Sequence, residues 1–599
     1  MSARHASRAT ASTLVLGGEI AAVAARPRPE QGVVGNAGSA EAMRRLQEAL
    51  AQLKAMSTQP LLEKAVAALR AEDAAGAADF ALQALRKDER CGMAWYCLAI
   101  AREKAGDFAT SLQCYESALQ LAPEHDEIAS NLGRLAYRMG MKDIAAKLFA
   151  GYLVKHPLAI EASNNLACVH RDLHRYGEAI ETLRPVIEAN PDNSLLWNTL
   201  GTVLTDQGDF EAALPFFDEA LRLDETFVKA RYNRSTAKLQ MGDPDAALID
   251  CEAALQGHMA EHERAMMNLA RSTMLIARGE LKEGWAAYDA RLSHHYTDAT
   301  IYRIDAPRWT PEAALNSRTL LLVGEQGLGD EVLFANVLPE AIEAVGPDGK
   351  IVLAVEKRLV SLFQRAYPGI EVGPHATYDI EARTVRVTPF VGDMGRIDLW
   401  APIGSLLQTL RPTVESFPDR PAYLAADPDR VAHWKRVLDT EAPKGLKVGV
   451  LWKSLKLEGA RLRYFSPFEA WKAVLRTPGV TFVDLQYGDT QAETEYARDH
   501  LGVQLWRPPG IDLKDELDEV AAFACALDLV LGPANATSNI AAACGADAWL
   551  ISTPGAWPKL GTDRYPWYPK MRVFTPPGSM QWDAVMDDVA AALAAKARS

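Results

Sequence analysis

Between residues 92 and 259 the chain repeats itself every 34 residues. Pro123, Pro157 and Pro191 lie one period apart. Trp95–Leu98, Leu132–Gly133 and Trp197–Leu200–Gly201 share a second phase of the same period. Ala145, Ala179, Ala213 and Ala247 keep the same interval, as do Phe149, Leu183, Phe217 and Cys251. A period of this length means one small unit copied and stacked, so this part of the chain has a linear array rather than a single closed core. The alanines predict two antiparallel helices in close approach, the large residues fill the space between neighbouring pairs, and each proline ends a helix.

The spacing and residue types are those of the tetratricopeptide repeat. A degenerate unit is expected upstream, over residues 58–91, and a slipped one downstream, ending near Arg291. One position in the first helix of each unit is not explained by packing. Asn131 and Asn165 are one period apart, Asn233 follows two periods later with Thr199 between, and Asn268 falls near the next step. Amides lining a concave groove can donate to and accept from the backbone of an extended peptide without reading its side chains. The pattern resembles the asparagine ladder of the O-linked N-acetylglucosamine transferases, which implies that Asn131, Asn165, Thr199, Asn233 and Asn268 bind a protein acceptor.

After Arg291 the pattern changes. Apolar, β-rich runs alternate with helical stretches at Thr319–Gly324, Ile351–Val355, Val385–Phe390, Lys447–Trp452, Thr481–Gln486, Leu527–Gly532 and Ala548–Ser552. Such alternation predicts parallel sheets with helices on both faces. A break near Asp427–Gly445 predicts two lobes. The expected organisation is a disordered tail over residues 1–40, an all-α tetratricopeptide superhelix over 41–295, and an α/β, Rossmann-like two-lobe domain of GT-B type over 296–427 and 428–599.

Two turns in this half have the residues to hold phosphate. Gly324-Glu325-Gln326-Gly327-Leu328-Gly329-Asp330 follows a strand and opens a helix, so Gly327 and Gly329 allow close approach of a ligand to helix-start amides. Asn535, Thr537, Ser538 and Asn539 open a second helix after another strand and add hydroxyls and amides. Lys453, Arg461 and Arg463 supply cations beyond the strand at 448–452. A cation there offsets charge developing on a leaving nucleotide.

The segments GELKEGWAAYDARL, RWTP, LLLVGEQGLGDEVLFANVLP, PIGSLLQTLR, AYLAADPDRVAHW, KVGVLWKS, VTFVDLQYGD and YPWYPKMRVF occur in that order over residues 275–575. The series resembles bacterial tetratricopeptide proteins with a heptosyltransferase-like domain. It implies an inverting, metal-independent glycosyltransferase in which Asp330 takes the proton of the acceptor hydroxyl. Helix capping is the plain alternative for Asp330, and Glu325 and Glu331 are its rivals as base. The second turn resembles the family's Asp-Thr-x-x-x-His segment but departs from it, with Ala534 in place of Asp and Asn539 in place of His. The Trp567–Tyr568 segment reads as packing. The whole layout is most similar to soluble flagellin glycosyltransferases, which implies transfer of a nonulosonic acid (pseudaminic or legionaminic) from its CMP derivative to Ser or Thr of flagellin. UDP-N-acetylglucosamine or ADP-heptose donors, and a non-catalytic scaffold with a degenerate transferase fold, are the alternatives.

Composition narrows the setting. A formal net charge of −14 argues against a protein that tracks a nucleic-acid backbone. The apolar runs are too short to span a bilayer. The seven cysteines form no CxxC pair and are expected to be reduced core residues of a cytoplasmic protein. No metal is expected, and no cofactor beyond the donor substrate.

Overall fold

The computed structural model describes residues 40–380, 383–454 and 463–598. The tail expected at 1–40 lies outside them except for Ala40, and so does Arg461. The chain divides into two compact units, residues 3–203 and 204–599.

The first unit is helical throughout. Its helices run in pairs of 13 or 14 residues, such as Gly92–Lys104 with Phe108–Leu121 and Ile160–Asp172 with Tyr176–Ala189. Ala145, Phe149, Ala179 and Leu183 are wholly buried, as the period requires. Asp73 and Asp107, one period apart, each cap a second helix by accepting from a backbone N–H three residues on. The degenerate first repeat differs from its neighbours: its first helix, Ala40–Arg70, is 31 residues long against 14 in its partner Ala74–Lys87.

The second unit begins with the remaining repeats. Asp209 and Asp243 continue the capping series, and the helices end with Glu261–Arg278 and Leu281–Tyr288. The α/β region follows. Its strands are β1 (Ile301–Tyr302), β2 (Thr319–Val323), β3 (Lys350–Val355), β4 (Glu371–Pro374), β5 (Ala376–Ile380), β6 (Arg383–Val387), β7 (Leu399–Pro402), β8 (Leu446–Val450), β9 (Val480–Asp484), β10 (Leu529–Pro533), β11 (Ala548–Ile551) and β12 (Arg572–Phe574). The first parallel sheet has the order β4-β3-β2-β7, and the second, also parallel, β12-β11-β10-β8-β9. Helix Pro428–Glu441, capped by Asp427, separates them where the break was expected. The run expected as a parallel strand at Val385–Phe390 differs. It forms β6 in a small separate sheet of order β1-β6-β5, parallel to β1 and antiparallel to β5, and Pro389 follows its end.

The last repeats share a hydrophobic core with the α/β region. Leu269, Ile276, Leu281, Trp285 and Tyr288 join the same core as β2, β3 and Trp567. The Trp285 indole N–H donates to the Arg411 carbonyl at 2.9 Å, and its ring meets Trp557 and Trp567 edge-on. Trp567 and Tyr568 are buried within this core, in keeping with a packing role.

Candidate functional site

In an open parallel α/β sheet, ligands bind beyond the carboxyl ends of the strands, where the strand order reverses. Taken in chain order, the five strands of the second sheet run 2-1-3-4-5, so the reversal lies between β8 and β10. The chain leaving β8 carries Trp452 and Lys453, and the chain leaving β10 carries Ala534 and Asn535. A cavity of about 290 Å³ lined by Val345, Lys350, Glu371 and Arg396 lies at the opposite, amino-terminal edge of the first sheet.

Asn535 caps the helix Ala536–Ala543 in a reciprocal arrangement. Its carboxamide oxygen accepts from the Ser538 N–H at 3.0 Å, and its own N–H donates to the Ser538 hydroxyl at 2.9 Å. The Ser538 hydroxyl also donates to the Pro533 carbonyl at 3.0 Å. Thr537, Ser538 and Asn539 are buried, whereas Ala534 is exposed. The Asn539 carboxamide donates to the Gly329 carbonyl at 2.9 Å. The two turns singled out in the sequence, 210 residues apart, therefore meet start to start. Gly329 leaves room for this close approach. A Cβ on it would lie 3.3 Å from Asn539 Nδ2 and 3.4 Å from the Ala536 nitrogen.

The three acids of the first turn have separate places. Glu325 is 1% exposed and lies in a two-bonded ion pair with Arg291, at 2.6 and 2.9 Å, while accepting from the Gly404 N–H at 2.6 Å. Glu331 is 3% exposed and accepts from the Glu356 N–H and sits 2.8 Å from His375 Nε2. Both are held by partners within the protein. Asp330 is half-buried. Its carboxylate is 3.4 Å from the Gly327 N–H, a long version of the capping contact. Burial pushes the Tyr565 phenol well above its usual range and the charge of Asp330 adds to the shift. Tyr288 is raised in the same way, chiefly by burial, with Glu325 and Asp330 contributing. Asp330 thus stands among a tyrosine of the last repeat, one of the second lobe and the glycine turn of the first.

Two of the expected cations of the second lobe have partners within the protein. Lys453 Nζ is paired with the Glu493 carboxylate, and the backbone N–H groups of Trp452 and Lys453 both donate to Gln486 Oε1 at 3.0 Å. The guanidinium of Arg463 lies over the rings of Tyr464 and Phe210, at 5.2 and 5.8 Å, with its Nε buried and without a hydrogen-bond partner.

The polar ladder of the repeats is partly used by the protein itself. Asn131 donates to the Tyr96 hydroxyl at 2.6 Å, and the Thr199 hydroxyl to the Asn164 side chain. Asn165 and Thr199 are buried, at 7% and 4% exposed. Asn233 and Asn268 are half-buried. Sequence reasoning missed Arg291, His375 and Arg386. Arg386 donates to the Gly324 carbonyl and is 5% exposed, so all three brace the glycine turn from positions that no local motif marks. Among the described residues no group of His, Cys, Asp and Glu could hold a metal ion, and no helix is long and apolar enough to cross a membrane.

These features define a tetratricopeptide-repeat protein whose last repeats are packed into an α/β region of two parallel sheets. Tetratricopeptide-repeat family profiles match residues 92–125 and 164–226. Protein FlbA of Caulobacter vibrioides is 48% identical over 593 residues, 99% of each chain. This chain belongs to the FlbA family. The peroxisomal targeting signal receptor of Kluyveromyces lactis is 30% identical over 116 residues, 19% of this chain and 20% of its own. A tetratricopeptide repeat protein from Parabacteroides merdae, 18% identical, covers 39% of this chain and 91% of its own with a TM-score of 0.35.

Proposed function

We propose that the protein is a protein O-glycosyltransferase: the repeats hold an acceptor protein, flagellin by the sequence resemblance, and the two lobes transfer a sugar from a nucleotide donor to Ser or Thr. The observation that carries this reading is the meeting of the two turns at 2.9 Å beyond the reversal of the second sheet. A donor held on Asn535–Asn539 lies next to the turn that bears Asp330. In this reading Asp330 takes the acceptor proton as the hydroxyl attacks the anomeric carbon, and Lys453 stabilises the departing phosphate after leaving Glu493. The donor is a CMP-nonulosonic acid by the same resemblance, with UDP- and ADP-sugars as alternatives. The test is intact-mass measurement of flagellin co-expressed with the protein in a host that makes the CMP-sugar. A mass gain of one or more nonulosonic acid residues is expected, and unmodified flagellin with all three donor classes overturns the reading.

A second reading has its own observation. Lys453, Ser538 and Asn539 are already engaged within the protein. A degenerate transferase fold serving as a scaffold accounts for that. It predicts no thermal stabilisation by CMP, UDP or ADP, whereas a ligand at about 100 times its dissociation constant adds about 2.7 kcal/mol.

A further inference from the structure

Between β11 and β12 the chain packs tightly against the last repeats. Gly555 has no room for a side chain, since a Cβ there would meet the Leu239 carbonyl oxygen at 1.8 Å. The Trp557 ring stands edge-on to Trp285 and Trp567, and the Pro558 carbonyl accepts from the Trp567 indole N–H at 3.0 Å. Leu560 is wholly buried and has a φ of 56°, in the left-handed region, which a leucine adopts only where its surroundings fix it. The Lys559 carbonyl, between them, accepts from the Thr562 N–H at 3.0 Å and from its hydroxyl at 2.7 Å. The backbone of Lys559 is therefore fixed from both sides.

The Lys559 side chain is not matched in the same way. It is half-buried, and burial holds its ammonium below the usual lysine range, with the charge of Asp563 opposing the shift. Among the described residues its Nζ meets the Thr575 hydroxyl at 3.4 Å, a long contact, and no carboxylate lies within ion-pair distance. Lys453, by contrast, has Glu493. A cation taken out of water without a counter-ion lowers stability, and such groups are kept chiefly where they bind something. The place of Lys559 indicates what that is. Lys559 and Thr575 follow β11 and β12, so both lie on chain leaving the carboxyl ends of the second sheet. β11 neighbours β10 with Ile551 beside Pro533, so the segment that carries Lys559 starts next to the Asn535–Asn539 turn. That turn supplies amides and hydroxyls but no positive side chain. An anion held there gains most from a cation nearby.

We propose that Lys559 binds an anionic group of the nucleotide-sugar donor. The inference rests on the donor site of the proposed glycosyltransferase. A phosphate and the carboxylate of a nonulosonic acid present the same chemistry to an ammonium, and the experiment separates them. It is calorimetry of full-length wild type and Lys559→Met with CMP, UDP, ADP and CMP-N-acetylneuraminic acid, together with the melting temperatures of the two ligand-free proteins. Affinity for the nucleotide that wild type binds is expected to fall by about 10-fold to 100-fold in Lys559→Met, which assigns the phosphate. The same loss for CMP-N-acetylneuraminic acid with CMP unchanged assigns the carboxylate. The variant is expected to melt at or above the wild-type temperature, because a desolvated cation has been replaced by an apolar chain of similar length. Unchanged affinity for all four ligands overturns the proposal and leaves the glycosyltransferase reading in place. A lowered melting temperature makes Lys559 a structural residue and overturns the proposal as well. A wild type that binds none of the four overturns both, whereas flagellin left unmodified while Lys559→Met still binds donor more weakly overturns the glycosyltransferase reading alone.

Discussion

The side chain of Asn539 bonds to the backbone carbonyl of Gly329, and in doing so ties the start of a helix in the second lobe to the start of a helix in the first. The contact depends on both residues. Gly329→Ala places a methyl group 3.3 Å from Asn539 Nδ2, so the side chain must shift by a few tenths of an ångström, and is expected to cost about 1 kcal/mol, the low end of the range for overpacking. Asn539→Ala leaves the carbonyl without its donor and is expected to cost about 1–3 kcal/mol. The two effects should add to less than their sum, because both act on one contact. Urea denaturation of the two single variants and the double variant measures this, and full additivity shows that the turns are not coupled.

The repeat array was legible because its spacing is a property of the backbone. Alanines at a 34-residue interval are buried whatever the repeats bind, and Ala145, Ala179, Ala213 and Ala247 are all at 0%. The function of the polar ladder was less legible. A side chain at the right phase can face a groove or its neighbour one repeat earlier, and Asn131 and Thr199 have taken the neighbour. The ordered motifs of the second half mark packing as much as chemistry. Arg411, the last residue of PIGSLLQTLR, is 1% exposed and donates to Asn336 and Glu340, while its carbonyl holds Trp285 of GELKEGWAAYDARL. Glu325 and Glu331 stood as rivals to Asp330 because their partners, Arg291 and His375, are 34 and 44 residues away in sequence. Only the fold separates the three acids.

That separation is testable at Glu325. Glu325→Gln keeps the shape but leaves the Arg291 guanidinium buried beside a neutral group. Breaking a buried pair from one side is expected to cost about 3–5 kcal/mol. Thermal and chemical denaturation should show a large loss of stability. A loss of activity with unchanged stability would instead return Glu325 to the list of bases.

The stability of the last repeats should depend on acid through Asp250. Burial raises its carboxyl, but the hydrogen bonds and charges of Arg234 and Lys238 outweigh that and hold it below the usual range. Arg234 bonds both carboxylate oxygens, at 2.6 and 2.7 Å, and Lys238 one, at 2.8 Å. A depressed folded-state pKa stabilises fully above the unfolded value of about 3.9 and is lost as pH falls through the folded value. Asp250→Asn should therefore be less stable than wild type at pH 7, with the difference shrinking on the acid side of about pH 4. Melting temperatures of both proteins between pH 3 and 7 check this, and a difference independent of pH contradicts it.

Lys453 is available to a phosphate only if Glu493 releases it. Glu493→Gln removes that competition and should tighten CMP binding by about tenfold, equivalent to about 1.4 kcal/mol. Lys453→Ala should weaken it while leaving acceptor binding unchanged. Calorimetry with CMP, UDP and ADP on the full-length variants measures both effects. Equal affinities across wild type and both variants remove Lys453 from the donor site.

Asp330 carries the sharpest prediction. Its carboxylate lies 3.4 Å from the Gly327 N–H, too long for a strong cap, and its charge helps to raise the phenols of Tyr288 and Tyr565. A serine or threonine hydroxyl is a poor nucleophile until its proton is taken. Asp330→Asn keeps the volume and an acceptor oxygen for Gly327 but removes the basicity. General-base catalysis contributes about 100-fold to 10,000-fold in rate, so transfer to flagellin should fall by that factor with melting temperature, nucleotide affinity and acceptor affinity near wild type. If Asp330 only caps its helix, Asp330→Ala loses about 1 kcal/mol of stability and Asp330→Asn keeps its activity. Transfer rate and melting temperature, measured side by side on the two variants, decide between these outcomes, and a fully active Asp330→Asn protein excludes Asp330 as the base.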